Sequence, residues 1–408
     1  MMETESQYST TPFFKDLKNL PPLIARPTSE ERTIKKGEIP QYVLDYSPMV
    51  HLYSEERYLP YDVKEFVSHF HPEFRNGTIP FPYNSHTSLN ITDLGDLAKY
   101  NTKDPEAKLF LTANEDFDTD PDWLTGVKNK PNFYNGEIKD APATLIVVDK
   151  GNGWVDSYWF YFYSFNLGPF VMGFGPFGDH VGDWEHSLVR FYKGQPVIVW
   201  MSAHGGGGAY FYKNIERFED GKRPIIYSAR GTHANYASVG QHSHDAPYSI
   251  LSDFTDRGPL WNPSLNHLAY TYDDENGIVY ANGSHPGREE KYGDWLKFKG
   301  AWGDKLLPPD DPRQHWSPFE WKYIDGPCGP LCKNLFRTSP CQRAKWWNIW
   351  NGCNIRKYIQ YGDGFYDKEG NNSCGNLYNM IKPGILKKMV EFLSFGGWFC
   401  WILDHLYG

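Results

Sequence analysis

Apolar residues occur along this chain in short runs separated by glycine, proline or charged pairs. The clearest stretch starts at Ala143, where "ATLIVVDKGNGWVDSYWFYFYSFN" sets a β-rich run, a Gly-Asn-Gly turn and a long aromatic run in succession, as a hairpin requires. "EHSLVRFYKGQPVIVWMSAH" adds two runs split at Lys193-Gly194, and "RPIIYSARGTHANYA" follows after a polar loop. No alternation with long helical patterns signals a parallel βαβ sheet. The pattern predicts a mainly β protein: an antiparallel β-sandwich from about Ala143 to Tyr272, with peripheral short helices. The best helical pattern is "NLYNMIKPGILKKMVEFL", broken at Pro383-Gly384, which predicts a helical C-terminal segment.

Residues 1–40 are polar and proline-containing and read as a flexible arm, 41–325 as the sandwich domain carrying the candidate site, and 326–408 as an extension packed on it. All six cysteines (Cys328, Cys332, Cys341, Cys353, Cys374, Cys400) fall in that extension, a count compatible with disulfides, free thiols or, at the "CGPLC" spacing of Cys328 and Cys332, zinc. No apolar run has the form of a signal peptide or the length of a membrane span, so the chain reads as soluble and cytoplasmic. The terminal "MVEFLSFGGWFCWILDHLYG" keeps a peripheral membrane contact open, because Glu391 and Asp404 suit an interfacial helix better than a spanning one.

Over 408 residues, 40% hydrophobic content supplies a sizeable core, while 17% aromatic residues, 38 Gly and 30 Pro fit short strands and turns. The formal charge of −9, with no basic run longer than two lysines, excludes nucleic acid as a partner. Several motifs carry no chemistry. "GFGPFG" has dinucleotide-loop spacing, but Pro176 and the residues after it open no helix. "DFDTDPDW" alternates like a calcium loop, yet Pro121 stands where such a loop needs glycine. No lysine phosphate loop and no G-x-S-x-G elbow occurs.

"FGPFGDHVGDWEHSLVRF" is different in kind. On an extended strand Asp183 and Glu185 share one side and Trp184 faces the other, while His180 can fold back from the preceding loop. Two carboxylates and an imidazole make a mixed site suited to a divalent metal cation, Mg, Ca, Mn or Zn. The same residues could instead only satisfy loop amides. His204 in "SAHGGGGAY", His233 in "GTHANYASVGQHSHDAP" and His186 follow predicted strands, and would supply proton transfer if they converge at one end of the sandwich.

"GDHVGDWEHSLVRF", "GTHANYASVGQH", "GPLWNPSLNHLAYTYD" and "FKGAWGDKLLPPDDPRQ" resemble the vacuolar protein sorting-associated protein 62 family, with the likeness covering roughly Pro40 to Cys341. That resemblance implies a vacuole-associated role and no defined chemistry. More distantly, the H-x-x-D-W-E of His180 to Glu185 is similar to the G-H-R-H-D-W-E heptapeptide of the necrosis- and ethylene-inducing-like proteins, with Val181 and Gly182 in place of its arginine and second histidine. This likeness implies a cation held by His180, Asp183 and Glu185. The expected activities are therefore a metal-assisted enzyme using His204, His233 or His186, or a non-catalytic lectin-like or membrane-recognising module. The expected ligand is a small molecule, a glycan or a lipid headgroup, with the exposed aromatics Phe174 or Phe177 in contact.

Overall fold

The aromatic hairpin lies at the centre of an eight-stranded sheet in the computed structural model, which describes residues 20–169, 175–204, 206–243, 252–281, 290–316 and 320–342, with 353, 355–357, 359 and 389. Across the sheet the strands run Gly277–Tyr280, His267–Asp273, Ala143–Asp149, Trp154–Asn166, His180–Tyr192, Gln195–Met201, Gly208–Phe211 and Ile355–Arg356. Neighbours are antiparallel except at two places. His267–Asp273 runs parallel to Ala143–Asp149, and Ile355–Arg356 parallel to Gly208–Phe211. Sequence pattern gave no sign of these pairings, because the partners lie far apart in the chain.

A four-stranded sheet of Asn235–Tyr236, Ile225–Ser228, Met49–His51 and Leu260–Trp261 covers one face. Val50, Ile226 and Trp261 meet Leu145, Trp159, Tyr161, Val189 and Val199 there, which makes the fold a mainly β sandwich, as expected. The opposite face is covered by short helices, such as Val63–Val67 capped by Asp62, and by the ribbon Phe70–Phe74/Leu109–Ala113. Phe66, Trp123, Phe162, Trp184, Trp295 and Trp302 fill that layer. Burial on both faces explains why the central strands read as continuous aromatic runs rather than as alternation.

Residues 20–40, expected as part of a flexible arm, are tied to the sheet. Trp154 Nε1 donates to the Pro21 carbonyl at 2.7 Å, Asn152 Nδ2 to that of Pro22 at 2.8 Å and Ile24 N to that of Lys150 at 2.8 Å. Beyond residue 325 the chain is held by buried cations on the second face. Lys150 Nζ donates to the Leu335 carbonyl at 2.6 Å, and Arg190 Nη1 to that of Thr338 at 2.6 Å while its other nitrogens grip Asp156 at 2.7 and 2.8 Å. Burial pushes the Lys150 ammonium down to about 8. Cys328 pairs with Cys332 and Cys341 with Cys353 as disulfides, with Cα atoms 6.1 and 5.6 Å apart. The expected C-terminal helix lies, Met389 apart, outside the described residues. Among the described residues no helix is long and apolar enough to cross a membrane.

Candidate functional site

The strand His180–Tyr192 does not keep one facing throughout. Val181 and Trp184 pack in the same core cluster although they are three residues apart, an odd spacing that plain alternation would send to opposite faces. Gly182 between them has φ +68°, and a Cβ there would stand 1.9 Å from the Trp302 carbonyl oxygen, so no other residue fits. The left-handed glycine reverses the strand's facing at that point. His180 and Asp183 consequently share one side, and Glu185 follows two residues on.

Around these groups the chain has gathered carboxylates. Asp183 Oδ2 accepts from His233 Nδ1 at 2.9 Å. His233 Nε2 donates to the Tyr58 carbonyl at 3.0 Å and lies 3.8 Å from Glu56 Oε1. Both ring nitrogens thus face oxygen acceptors, which only the doubly protonated imidazolium satisfies. Burial alone would push that imidazolium down, but the bonds to Asp183 and Glu56 outweigh it and hold His233 up at about 9. The ring stacks on Tyr163 at 3.7 Å and 2°, which fixes it from the side.

Glu185 accepts a hydrogen bond from the Ser202 hydroxyl, whose oxygen in turn accepts from His186 N at 2.8 Å. Burial and then the charge of Asp183 push the Glu185 carboxyl up to about 7, against the opposing pull of Lys333 and His204. His180 Nδ1 donates to the Gly182 carbonyl at 2.7 Å, so its Nε2 carries the lone pair, and burial keeps the ring neutral by lowering its pKa. This is the tautomer and protonation state of a metal-ligating histidine. The donor set fits a divalent cation in kind. In this arrangement, however, no three His, Cys, Asp or Glu side chains among the described residues converge as a metal site.

The three histidines considered for proton transfer part company. His233 is fully buried with both nitrogens donated. His186 lies across the sheet from Asp183, stacked on Phe160 at 4.7 Å beside Trp200, with both ring nitrogens buried and without a hydrogen-bond partner. Burial holds it neutral. His204 stays near the carboxylates and is a quarter exposed, with Nε2 donating to buried Asp253 at 2.6 Å. Asp253 also accepts from Tyr236 at 2.7 Å and Thr232 at 2.7 Å. His204 and His233 both have left-handed backbones, φ 47° and 53°, a strain that side-chain bonding holds in place. Of the aromatics expected at an exposed loop, Phe177 is instead buried against His315, and Phe174 lies outside the described residues.

Glu56 and Asp253 were not singled out from sequence. "SEERYLP" and "SDFTD" carry no spacing that ties them to Asp183, and only tertiary pairing brings them in.

The family model for vacuolar protein sorting-associated protein 62 matches residues 17–246. The Saccharomyces cerevisiae protein described as "Vacuolar protein sorting-associated protein 62" is 51% identical over 97% of this chain and 89% of its own length. A second protein from that yeast, "Putative vacuolar protein sorting-associated protein TDA6", is 48% identical over 96% of this chain and 89% of its own. Among solved structures, a necrosis and ethylene inducing protein 2 aligns at TM-score 0.23 and 12% identity over 57% of this chain and 74% of that one. "NLPPya in complex with glucosamine" aligns at TM-score 0.25 and 9% identity over 62% and 83%. Structural likenesses this loose carry no argument about the site.

Proposed function

The chain belongs to the vacuolar protein sorting-associated protein 62 family, and we propose that it serves vacuolar protein sorting as a cation-assisted binding module rather than as an enzyme. One observation carries this reading. Asp183 and Glu56 flank the His233 imidazolium, and burial together with the charge of Asp183 pushes the Glu185 carboxyl up to about 7. A hard divalent cation taken up by Asp183 and Glu185, with His180 Nε2 as a third ligand, offsets that repulsion and offers open coordination positions to an oxygen-rich ligand such as a glycan or headgroup. Of the three candidate proton carriers, His233 is committed as a donor pair and His186 faces away, which leaves only His204, bonded to Asp253, for acid-base chemistry.

The test is calorimetry on chelator-treated protein with Mg²⁺, Ca²⁺, Mn²⁺ and Zn²⁺ in turn. Binding near pH 7 expels a proton from Glu185, so the heat should change with the ionisation enthalpy of the buffer. Asp183→Asn and Glu185→Gln should each weaken binding at least about tenfold. No cation heat under any loading, or heats unchanged in the double variant, would overturn the reading.

A further inference from the structure

Of the large apolar side chains exposed among the described residues, Val127, Phe133, Tyr134 and Leu265 stand at one end of the sandwich, at 56, 94, 93 and 47% exposure. It is the end that holds Asp183. Asn129 Nδ2 donates to the Pro60 carbonyl at 2.8 Å, and Pro60 bridges Tyr163, the cross-strand partner of Asp183. The turn carrying the two rings is closed by Asn132 N to the Glu137 carbonyl at 2.9 Å and by Gly136 N to that of Asn132 at 2.8 Å. Gly136 has φ +75°, and a Cβ there would stand 2.8 Å from the Leu260 carbonyl oxygen. Asn262 N and Asn266 Nδ2 clip the loop of Leu265 to it, donating to the Gly136 carbonyl at 2.8 Å and the Ile138 carbonyl at 2.9 Å.

The backbone is therefore pinned and the rings point outward, 5.6 Å apart and edge-on at 83°. Lys130 and Lys139 are exposed in the same loop, as is Asp140, with Glu137 partly exposed, while Lys128 is drawn to Glu65. Phenylalanine and tyrosine on a convex tip flanked by lysines match the layered chemistry of a bilayer interface, with apolar depth below, hydroxyl and ammonium groups at headgroup level and phosphates outside. Two rings on a tip offer too little area for a stable protein partner, which needs on the order of 800 Å² a side.

We propose that this tip docks on a phospholipid surface containing anionic headgroups, with Phe133 and Tyr134 entering the interfacial layer and Lys130 and Lys139 meeting the phosphates. The docking surface stands independently of the cation reading above.

The experiment is flotation of the full chain with vesicles of phosphatidylcholine alone and of phosphatidylcholine with phosphatidylserine. The unsubstituted chain should float with the mixed vesicles, and F133S/Y134S should lower the bound fraction at least about tenfold with an unchanged melting temperature, because both rings are exposed in the folded state. K130E/K139E should abolish the preference for phosphatidylserine. Failure to float with either vesicle, or equal flotation of F133S/Y134S, overturns the proposal. So does a dimer of the unsubstituted chain, by analytical ultracentrifugation, that F133S/Y134S dissolves.

Discussion

Replacing Asp183 by asparagine should change the pH dependence of stability more than its size. Asp183 is the acceptor that keeps His233 charged, and a rise of the folded-state pKa from 6.5 to about 9 corresponds to roughly 3 kcal/mol for this fully buried group. Because the folded pKa is raised, that stabilisation is complete below about pH 6.5 and is lost as pH climbs through 9. With asparagine in place only Glu56 still opposes burial, so the folded-state pKa of the ring falls and most of the imidazolium contribution goes. Glu185 moves the opposite way. Its carboxyl is raised to about 7 partly by Asp183, a penalty absent below its unfolded value and complete above 7, so removing the charge returns some stability at neutral and alkaline pH. Asp183→Asn should therefore be less stable than the parent by about 2–3 kcal/mol at pH 6, and equal to it or more stable at pH 9.5. Urea denaturation at pH 6, 7.5 and 9.5, with midpoints compared at constant m, measures the difference. A deficit that stays constant or grows toward pH 9.5 would refute both the imidazolium assignment and the coupling to Glu185.

Gly182→Ala should cost at least about 4 kcal/mol or prevent folding, since the new methyl meets a backbone oxygen and the residue must stay left-handed; a thermal melt indistinguishable from the parent would remove Gly182 as the device that turns the strand. His186→Leu should leave stability within about 1 kcal/mol or raise it, because it removes two buried nitrogens that have no partner, and denaturant titration showing a large loss would mean that the ring is bonded after all.

The hairpin from Ala143 to Asn166 and the strands on either side of Lys193-Gly194 were legible because turn residues bracket strand-forming runs. The identity of the carboxylate strand was legible for the same reason. Its geometry was not, since simple alternation puts Asp183 and Glu185 together but says nothing of His180. The signal was Gly182, whose left-handed backbone could have been suspected from a glycine inside a strand. His233 illustrates the converse difficulty. Sequence offers a histidine after a strand, and only the convergence of Asp183, Glu56 and the Tyr58 carbonyl turns a candidate base into a fixed cation. His186 was drawn in by nearness in sequence, but one residue beyond Glu185 the strand faces the other core. The reading of residues 20–40 as an arm missed Pro21 and Pro22, whose carbonyls are acceptors that hydropathy does not count.

The grip of Lys150 and Arg190 on the carbonyls of Leu335 and Thr338 also sets the order in which the molecule can be made. When the central strands leave the ribosome, two positive charges destined for the interior have Asp156 but not yet those carbonyls, and nearly two hundred residues still separate Lys150 from its acceptor. An ammonium cannot be sealed in an apolar layer without a partner, so the second core stays open and hydrated until the segment around Leu335 has been synthesised. The segment around Leu335 thus closes the second core late in folding, and ribosome-bound chains ending before it should expose their tryptophan-rich layer to chaperones.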